Sequence, residues 1–173
     1  MVRVGEKAPD FTAAAYVHGE QETVSLADYR GKWVVLFFYP MDFTFVCPTE
    51  IREFAKHEHD IKDLDGVVIG ASTDSFFTHK AWYERDLPEV RFPVLADTTH
   101  KISRLFGVLK EDEGIAYRGT FIVDPDGIVR YVVVSDLSVG RSVSETVRVL
   151  KALQSGELCP VEWKPGQHTL GKA

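Results

Sequence analysis

Apolar residues follow two rhythms along this chain. Trp33-Val34-Val35-Leu36-Phe37-Phe38-Tyr39 and Val67-Val68-Ile69-Gly70-Ala71-Ser72 are near-continuous runs rich in β-branched and aromatic residues. Such runs mark strands buried on both faces of a parallel sheet. Between them Ile51, Phe54, Ala55, Ile61 and Leu64 recur at helical spacing, and Leu64-Asp65-Gly66 stops that helix. Ser75 caps a second helix through about Leu87, carrying Phe76, Ala81, Trp82 and Tyr83. Phe92–Ala96 reads as a short strand and Thr98–Phe106 as a short helix ended by Gly107. Thr120–Val123 and Ile128–Val134 are joined by Asp124-Pro125-Asp126-Gly127, turn chemistry that makes this pair antiparallel. Ser142 caps a last helix to about Gln154, with Val143, Val147, Leu150 and Leu153 on one stripe. Residues 1–32 are polar and turn-rich; Ala8-Pro9-Asp10-Phe11 and Val17-His18-Gly19-Glu20 suggest short strands or a hairpin.

This order predicts an α/β protein with a mixed central sheet flanked by helices. It matches a thioredoxin-like fold with an N-terminal extension and a strand–helix insertion. No repeat, low-complexity tract or linker divides the chain. Residues 1–173 are therefore expected to form one domain, with 155–173 a C-terminal tail.

Composition narrows the function. The chain has 173 residues, 45% hydrophobic and 27% charged, enough for a substantial core. A net charge of −6 without a Lys/Arg cluster argues against nucleic acid or an anionic membrane as partner. No apolar run approaches the roughly 20 residues of a membrane span. Met1–Lys7 lacks the apolar core of a signal peptide. Two cysteines are too few for a secreted disulfide framework, so a cytoplasmic protein is expected. His57 and His59 fall on a charged helix face, His79 and His168 lack ligand spacing, and all four read as solvated rather than as a metal site.

The candidate chemistry follows the first apolar run. Pro40 cannot donate to a sheet ladder and ends the strand. A short loop then leads to Cys47-Pro48-Thr49-Glu50, where Pro48 suits the first helical position. A cysteine just before it sits at a helix N-terminus, an environment that lowers thiol pKa. Open α/β folds keep their chemistry at this carboxyl end of the sheet. In a thioredoxin the thiol after this strand belongs to Cys-x-x-Cys. Here the second position is Glu50, which excludes disulfide exchange within the motif.

Pro40-x3-Thr44-x2-Cys47 resembles the active-site motif of the peroxiredoxins. Cys47-Pro48-Thr49-Glu50 resembles their two-cysteine branch, which includes the peroxidase component of alkyl hydroperoxide reductase. Phe38–Thr44, His79–Trp82, Arg118–Asp124, Val139–Val143 and Gly156–Pro160 also recur in family order. The resemblance implies a thiol peroxidase that reduces hydrogen peroxide and small organic hydroperoxides to water and alcohols, with no metal or organic cofactor.

Each residue's part has a physical reason. A thiol of pKa about 8.5 is only a few per cent thiolate at pH 7, and lowering the pKa to about 6 gains some 30-fold at most. That is about 2 kcal/mol, against the roughly 8 or more of typical enzymatic acceleration. The remainder must come from donors aimed at the peroxide oxygens. The resemblance names them as Arg118, Thr44 and backbone N–H groups at the start of the Cys47 helix. Arg118 supplies a fixed fork and constant charge, and Thr44 can donate to one oxygen and accept from the other. Pro40 shields the thiolate from water. Glu50, one helical turn past Cys47, is placed to act as counter-ion to Arg118 or simply as a favourable first-turn charge. Arg141 either joins that network or sits as a surface charge at a helix entry.

The resemblance also implies that Cys159 of a partner subunit resolves the Cys47 sulfenic acid, making an intersubunit disulfide in a head-to-tail homodimer. A ring of such dimers is implied too. Thioredoxin or a dedicated flavoprotein disulfide reductase would supply electrons. Over-oxidation-sensitive members carry a Gly-Gly-Leu-Gly loop and a longer C-terminal helix with Tyr-Phe. Here the loop reads Glu113-Gly114-Ile115-Ala116 and the tail stops at Gly171-Lys172-Ala173, so a robust enzyme is expected. Two other classes fit the same thiol: a thioredoxin-type disulfide reductase, and a redox sensor or holdase chaperone.

Overall fold

The N-terminal segment folds as a hairpin of β1 (Thr12–Val17) and β2 (Glu20–Ser25). Its turn is His18-Gly19, with φ of 48° and 95°. Two successive left-handed residues match the right-handed twist of the flanking strands. In the computed structural model, which describes residues 2–172, Met1 and Ala173 at the ends of the expected domain lie outside the described residues. Ala8-Pro9-Asp10-Phe11 is not a strand. Pro9 offers no N–H to a ladder, and only Lys7 makes a bridge, to Ile128.

A 3-10 turn at Leu26–Tyr29 leads into β3 (Trp33–Phe38), α1 (Cys47–Asp63), β4 (Gly66–Ser72) and α2 (Phe76–Asp86). Next come β5 (Val94–Ala96), α3 (Lys101–Phe106), a two-residue ladder of β6 (Leu109–Lys110) with β7 (Ile115–Ala116), then β8 (Arg118–Val123), β9 (Val129–Ser135) and α4 (Val143–Ser155). The helix expected from Thr98 starts at Lys101. The buried Asp97 carboxylate accepts the N–H groups of Ile102 and Ser103 at 3.0 and 2.7 Å, and the chain reverses at His100 with φ of 59°.

Among the described residues seven strands form one mixed sheet in the order β2-β1-β5-β4-β3-β8-β9. β3 lies inside it, third from the β9 edge, parallel to β4 and antiparallel to β8. The N-terminal hairpin joins through β1, which pairs with β5 of the insertion. Alternation of side chains explains the unbroken apolar run of β3. Val34, Leu36 and Phe38 pack with Phe106 and Phe121 on one face, while Val35, Phe37 and Tyr39 pack with Ile51, Phe54, Trp82 and Leu150 of α1, α2 and α4 on the other. Phe37 stacks on Phe54 with ring centroids 4.1 Å apart and lies against Gly70, its register partner on β4. A Cβ on Gly70 would stand 3.0 Å from the Phe37 ring, so a larger residue there would push that ring back by a few tenths of an ångström. These two layers fix the carboxyl end of β3, from which the loop to α1 springs.

Candidate active site

Pro40, buried, ends β3, and residues 41–46 carry the chain to α1. Cys47 is itself the first helical residue and Pro48 the second, one position later than the sequence suggests. The shift arises because Val46 already has helical φ and ψ of −79° and −40°. Its carbonyl accepts the Thr49 N–H at 3.0 Å and the Thr49 hydroxyl at 2.6 Å. The first N–H groups of a helix lack intrahelical acceptors and form the positive end of its dipole, and Cys47 sits there.

Around this buried thiol the sheet and two helix entries assemble a charged cluster. Arg118, first residue of β8, donates Nε to Leu137 O at 2.8 Å and shares Nη1 between Cys47 Sγ at 3.4 Å and Glu50 Oε2 at 2.7 Å. Glu50 lies on α1 one turn beyond Cys47. Its Oε1 accepts the Arg141 N–H and Nε, both at 2.9 Å. Arg141, on the loop before α4, also donates to Gly119 O at 2.9 Å and Thr120 Oγ1 at 3.0 Å, and reaches Phe38 O. Its guanidinium covers the Phe37 ring at 5.3 Å. Burial pulls the Arg141 pKa down, while Glu50 opposes it. The side chains of Arg118, Arg141 and Glu50 are 4%, 3% and 2% exposed. Two guanidiniums and one carboxylate leave a net positive charge beside the buried Cys47 sulfur. Of the two roles open to Arg141, the structure places it in the network.

Thr44 stands outside this cluster. Its hydroxyl donates to Met41 O at 2.8 Å, which commits the proton and leaves the oxygen lone pairs free to accept. A groove of about 390 Å³ opens beside it, lined by Phe43, Thr44, Pro48, Arg52, Trp82 and Arg85.

Sequence reasoning missed what holds the loop. His79, read as solvated, is fully buried, with Nδ1 2.6 Å from Asp42 Oδ2 and Nε2 3.1 Å from Leu95 O. The Tyr39 hydroxyl donates to Asp42 Oδ1 at 2.7 Å and receives the Tyr83 hydroxyl at 3.1 Å. The Asp42 N–H donates to Asp74 Oδ2 at 2.9 Å. Burial raises the Asp42 carboxyl above its ordinary range, against the pull of His79. Burial also pushes Tyr39 and Tyr83 well up, so both remain proton donors. Phe43, next in the chain, takes a left-handed φ of 57°, a strained position for a non-glycine residue. The Trp82 ring at 5.9 Å and the Arg85 guanidinium at 5.0 Å brace it. The His79-Lys80-Ala81-Trp82 block was the signal for this network.

Cys159 lies elsewhere. Its Sγ is 3.5 Å from Ser155 Oγ and 3.8 Å from Ala152 O, near the end of α4. Arg141, at the other end of α4, is eleven residues before Ala152, or about 16 Å of helix. Both cysteines are free thiols, and the structure does not bring them together within one chain. Among the described residues no cluster of metal-ligating side chains and no helix long and apolar enough to cross a membrane is found.

Comparison with known proteins follows the same lines. The AhpC/TSA family matches residues 4–132. Peroxiredoxin-2 of Mus musculus is 52% identical over 97% of this chain and 89% of its own length. A thioredoxin peroxidase of Echinococcus granulosus is 51% identical over 96% of this chain and 91% of its own. The crystal structure of reduced Plasmodium vivax 2-Cys peroxiredoxin superposes with a TM-score of 0.92 at 35% identity, covering 98% of this chain and 93% of that one.

Proposed function

The chain belongs to the AhpC/TSA family, the peroxiredoxins, and is a thiol-dependent peroxidase; we propose that Cys47 is its peroxidatic nucleophile and Cys159 its resolving thiol. The Cys47 thiolate attacks one peroxide oxygen, the O–O bond breaks, and the other oxygen leaves as hydroxide or alkoxide, which takes a proton to become water or an alcohol. Cys47 is then a sulfenic acid. The observation that carries this reading is Arg118 Nη1, shared between Cys47 Sγ and Glu50 inside a buried cluster one positive charge in excess. The same guanidinium and the Cys47 N–H at the start of α1 donate to the oxygen that gains charge. Thr44, its own proton held by Met41 O, accepts from the peroxide hydroxyl and so orients the bond. Pro40 closes the site from behind, and Glu50 and Arg141 hold Arg118 in place.

The Cys159 thiol of a partner subunit then condenses with the sulfenic acid, forming the Cys47–Cys159 disulfide and releasing water. The placement of Cys159 at the far end of α4 from Arg141 supports a partner rather than the same chain as its target. The working unit is a head-to-tail homodimer, assembled into a ring of dimers. An external dithiol, thioredoxin or a dedicated flavoprotein disulfide reductase, returns both thiols. A cytoplasmic setting suits a cycle whose two cysteines must be reduced after each turnover.

Mass spectrometry under non-reducing conditions after one equivalent of hydrogen peroxide tests the cycle. It should show Cys47 linked to Cys159 and an intact mass of two chains. A same-chain link, or a link lacking either cysteine, refutes the assignment.

A further inference from the structure

The segment that carries Cys159 is closed on itself. The Leu158 N–H donates to Gly171 O and the Leu170 N–H to Leu158 O, both at 2.8 Å, forming the neck of a loop. Inside it Trp163 is only 6% exposed, although no helix or strand carries it. Its N–H donates to Pro160 O at 3.1 Å, closing a turn, and its indole N–H donates to Gln167 O at 3.0 Å. Arg148 of α4 ties this turn to the body. Its Nη1 donates to Trp163 O at 2.8 Å, while Nε and Nη2 grip both Glu145 oxygens at 2.6 and 2.7 Å. Arg148, Ala152 and Cys159 line one groove.

This arrangement restricts the thiol. With the 160–163 turn closed and its carbonyl held, Cys159 has one residue of slack, about 3.5 Å. Reaching another site requires the turn to leave α4. Arg148 is the charged donor on that carbonyl, and a charge-assisted bond is about twice as strong as a neutral one. Glu145 keeps its guanidinium aimed.

We propose that Arg148 is a positioning residue for resolution: its bond to the Trp163 carbonyl latches the Cys159 loop to α4, and its release sets the rate at which Cys159 meets the oxidised Cys47. The inference rests on Cys159 being the resolving thiol. R148M keeps the apolar stem and removes the donors, whereas R148K restores one ammonium donor. Rapid mixing with one equivalent of hydrogen peroxide, acid quench and non-reducing mass spectrometry separate loss of the Cys47 thiol from growth of the disulfide. In R148M the disulfide should form about five-fold faster while the peroxide step is unchanged. The peroxide concentration giving half sulfinylation should rise by the same factor, because resolution competes with further oxidation. R148K should return toward the parent. Resolution no faster than the parent's in R148M, or a peroxide step altered with it, overturns the latch. If the parent's disulfide lacks Cys159, the resolving assignment itself fails and the latch with it; the same spectra distinguish the two failures.

Discussion

Glu50→Gln keeps the shape of the buried cluster and removes the carboxylate that joins Arg118 to Arg141. The amide oxygen can still receive one donor, but two guanidiniums at 4% and 3% exposure lose their counter-charge. Removing one partner of a buried pair costs about 3–5 kcal/mol, because the remaining charge is left uncompensated. For a chain of this size about 1 kcal/mol shifts the melting temperature by roughly 2–4 °C, so E50Q should lower it by roughly 6–20 °C. A control isolates burial from bond count. Arg104 and Glu111 also make two hydrogen bonds, at 2.8 and 2.9 Å, but are 54% and 63% exposed. E111Q should therefore leave the melting temperature unchanged within error. Both variants are melted reduced, at one protein concentration, with tryptophan fluorescence as readout. Arg118 also loses the carboxylate that aims it, so the peroxide reaction of E50Q should slow about 10- to 100-fold. An E50Q melt within 2 °C of the parent, or an equal shift in E111Q, would refute the reasoning.

R118M should slow the reaction of Cys47 with peroxide about 100- to 1000-fold, the usual loss for a donor aimed at developing charge, and T44V should slow it less but clearly. Alkylation of Cys47 by iodoacetamide, which has no O–O bond to align, should fall far less in both; equal losses in the two reactions would remove the roles given to Arg118 and Thr44. C159S, oxidised with one equivalent of peroxide, should show no two-chain band on a non-reducing denaturing gel, and persistence of that band would exclude Cys159 from the link. Burial alone would raise the Asp124 carboxyl, but the Ile128 N–H, Arg130 and the Asp126 N–H outweigh it and hold it below its ordinary range. A depressed carboxyl stabilises the fold above its unfolded value near pH 4 and loses that contribution as pH falls through the lower folded value. D124N should therefore flatten the fall in urea midpoint below about pH 4, and an unchanged slope would contradict this.

What the sequence disclosed was local or periodic. β3, α1, β4 and the β8–β9 turn each announce themselves within a dozen residues, and Cys47 falls at a strand-to-helix junction that chain order alone predicts. Arg118 and Glu50 were legible through motif blocks, since nothing in their spacing shows that two residues 68 positions apart are brought within 2.7 Å. Asp42 and His79 escaped because burial of a hydrogen-bonded polar pair is decided by packing of α2 against the sheet, not by periodicity. His79 occupies a helix position that reads as polar. The β6–β7 ladder is two residues long on each side, too short to carry alternation. The closure of 157–171 depends on backbone bonds between residues twelve or more apart, and coil of that kind leaves no pattern in side-chain order.

A stopped-flow measurement of hydrogen peroxide with the reduced protein, followed by Cys47 oxidation and compared with free cysteine at the same pH, decides whether this buried cluster does chemistry. Complete ionisation of an ordinary thiol gains some 30-fold at most near neutral pH, so a rate exceeding that of free cysteine by several orders of magnitude is expected, with the excess abolished in R118M. A rate no greater than free cysteine's would leave the Cys47–Arg118–Glu50 arrangement a structural ion cluster and the peroxidase reading without a site.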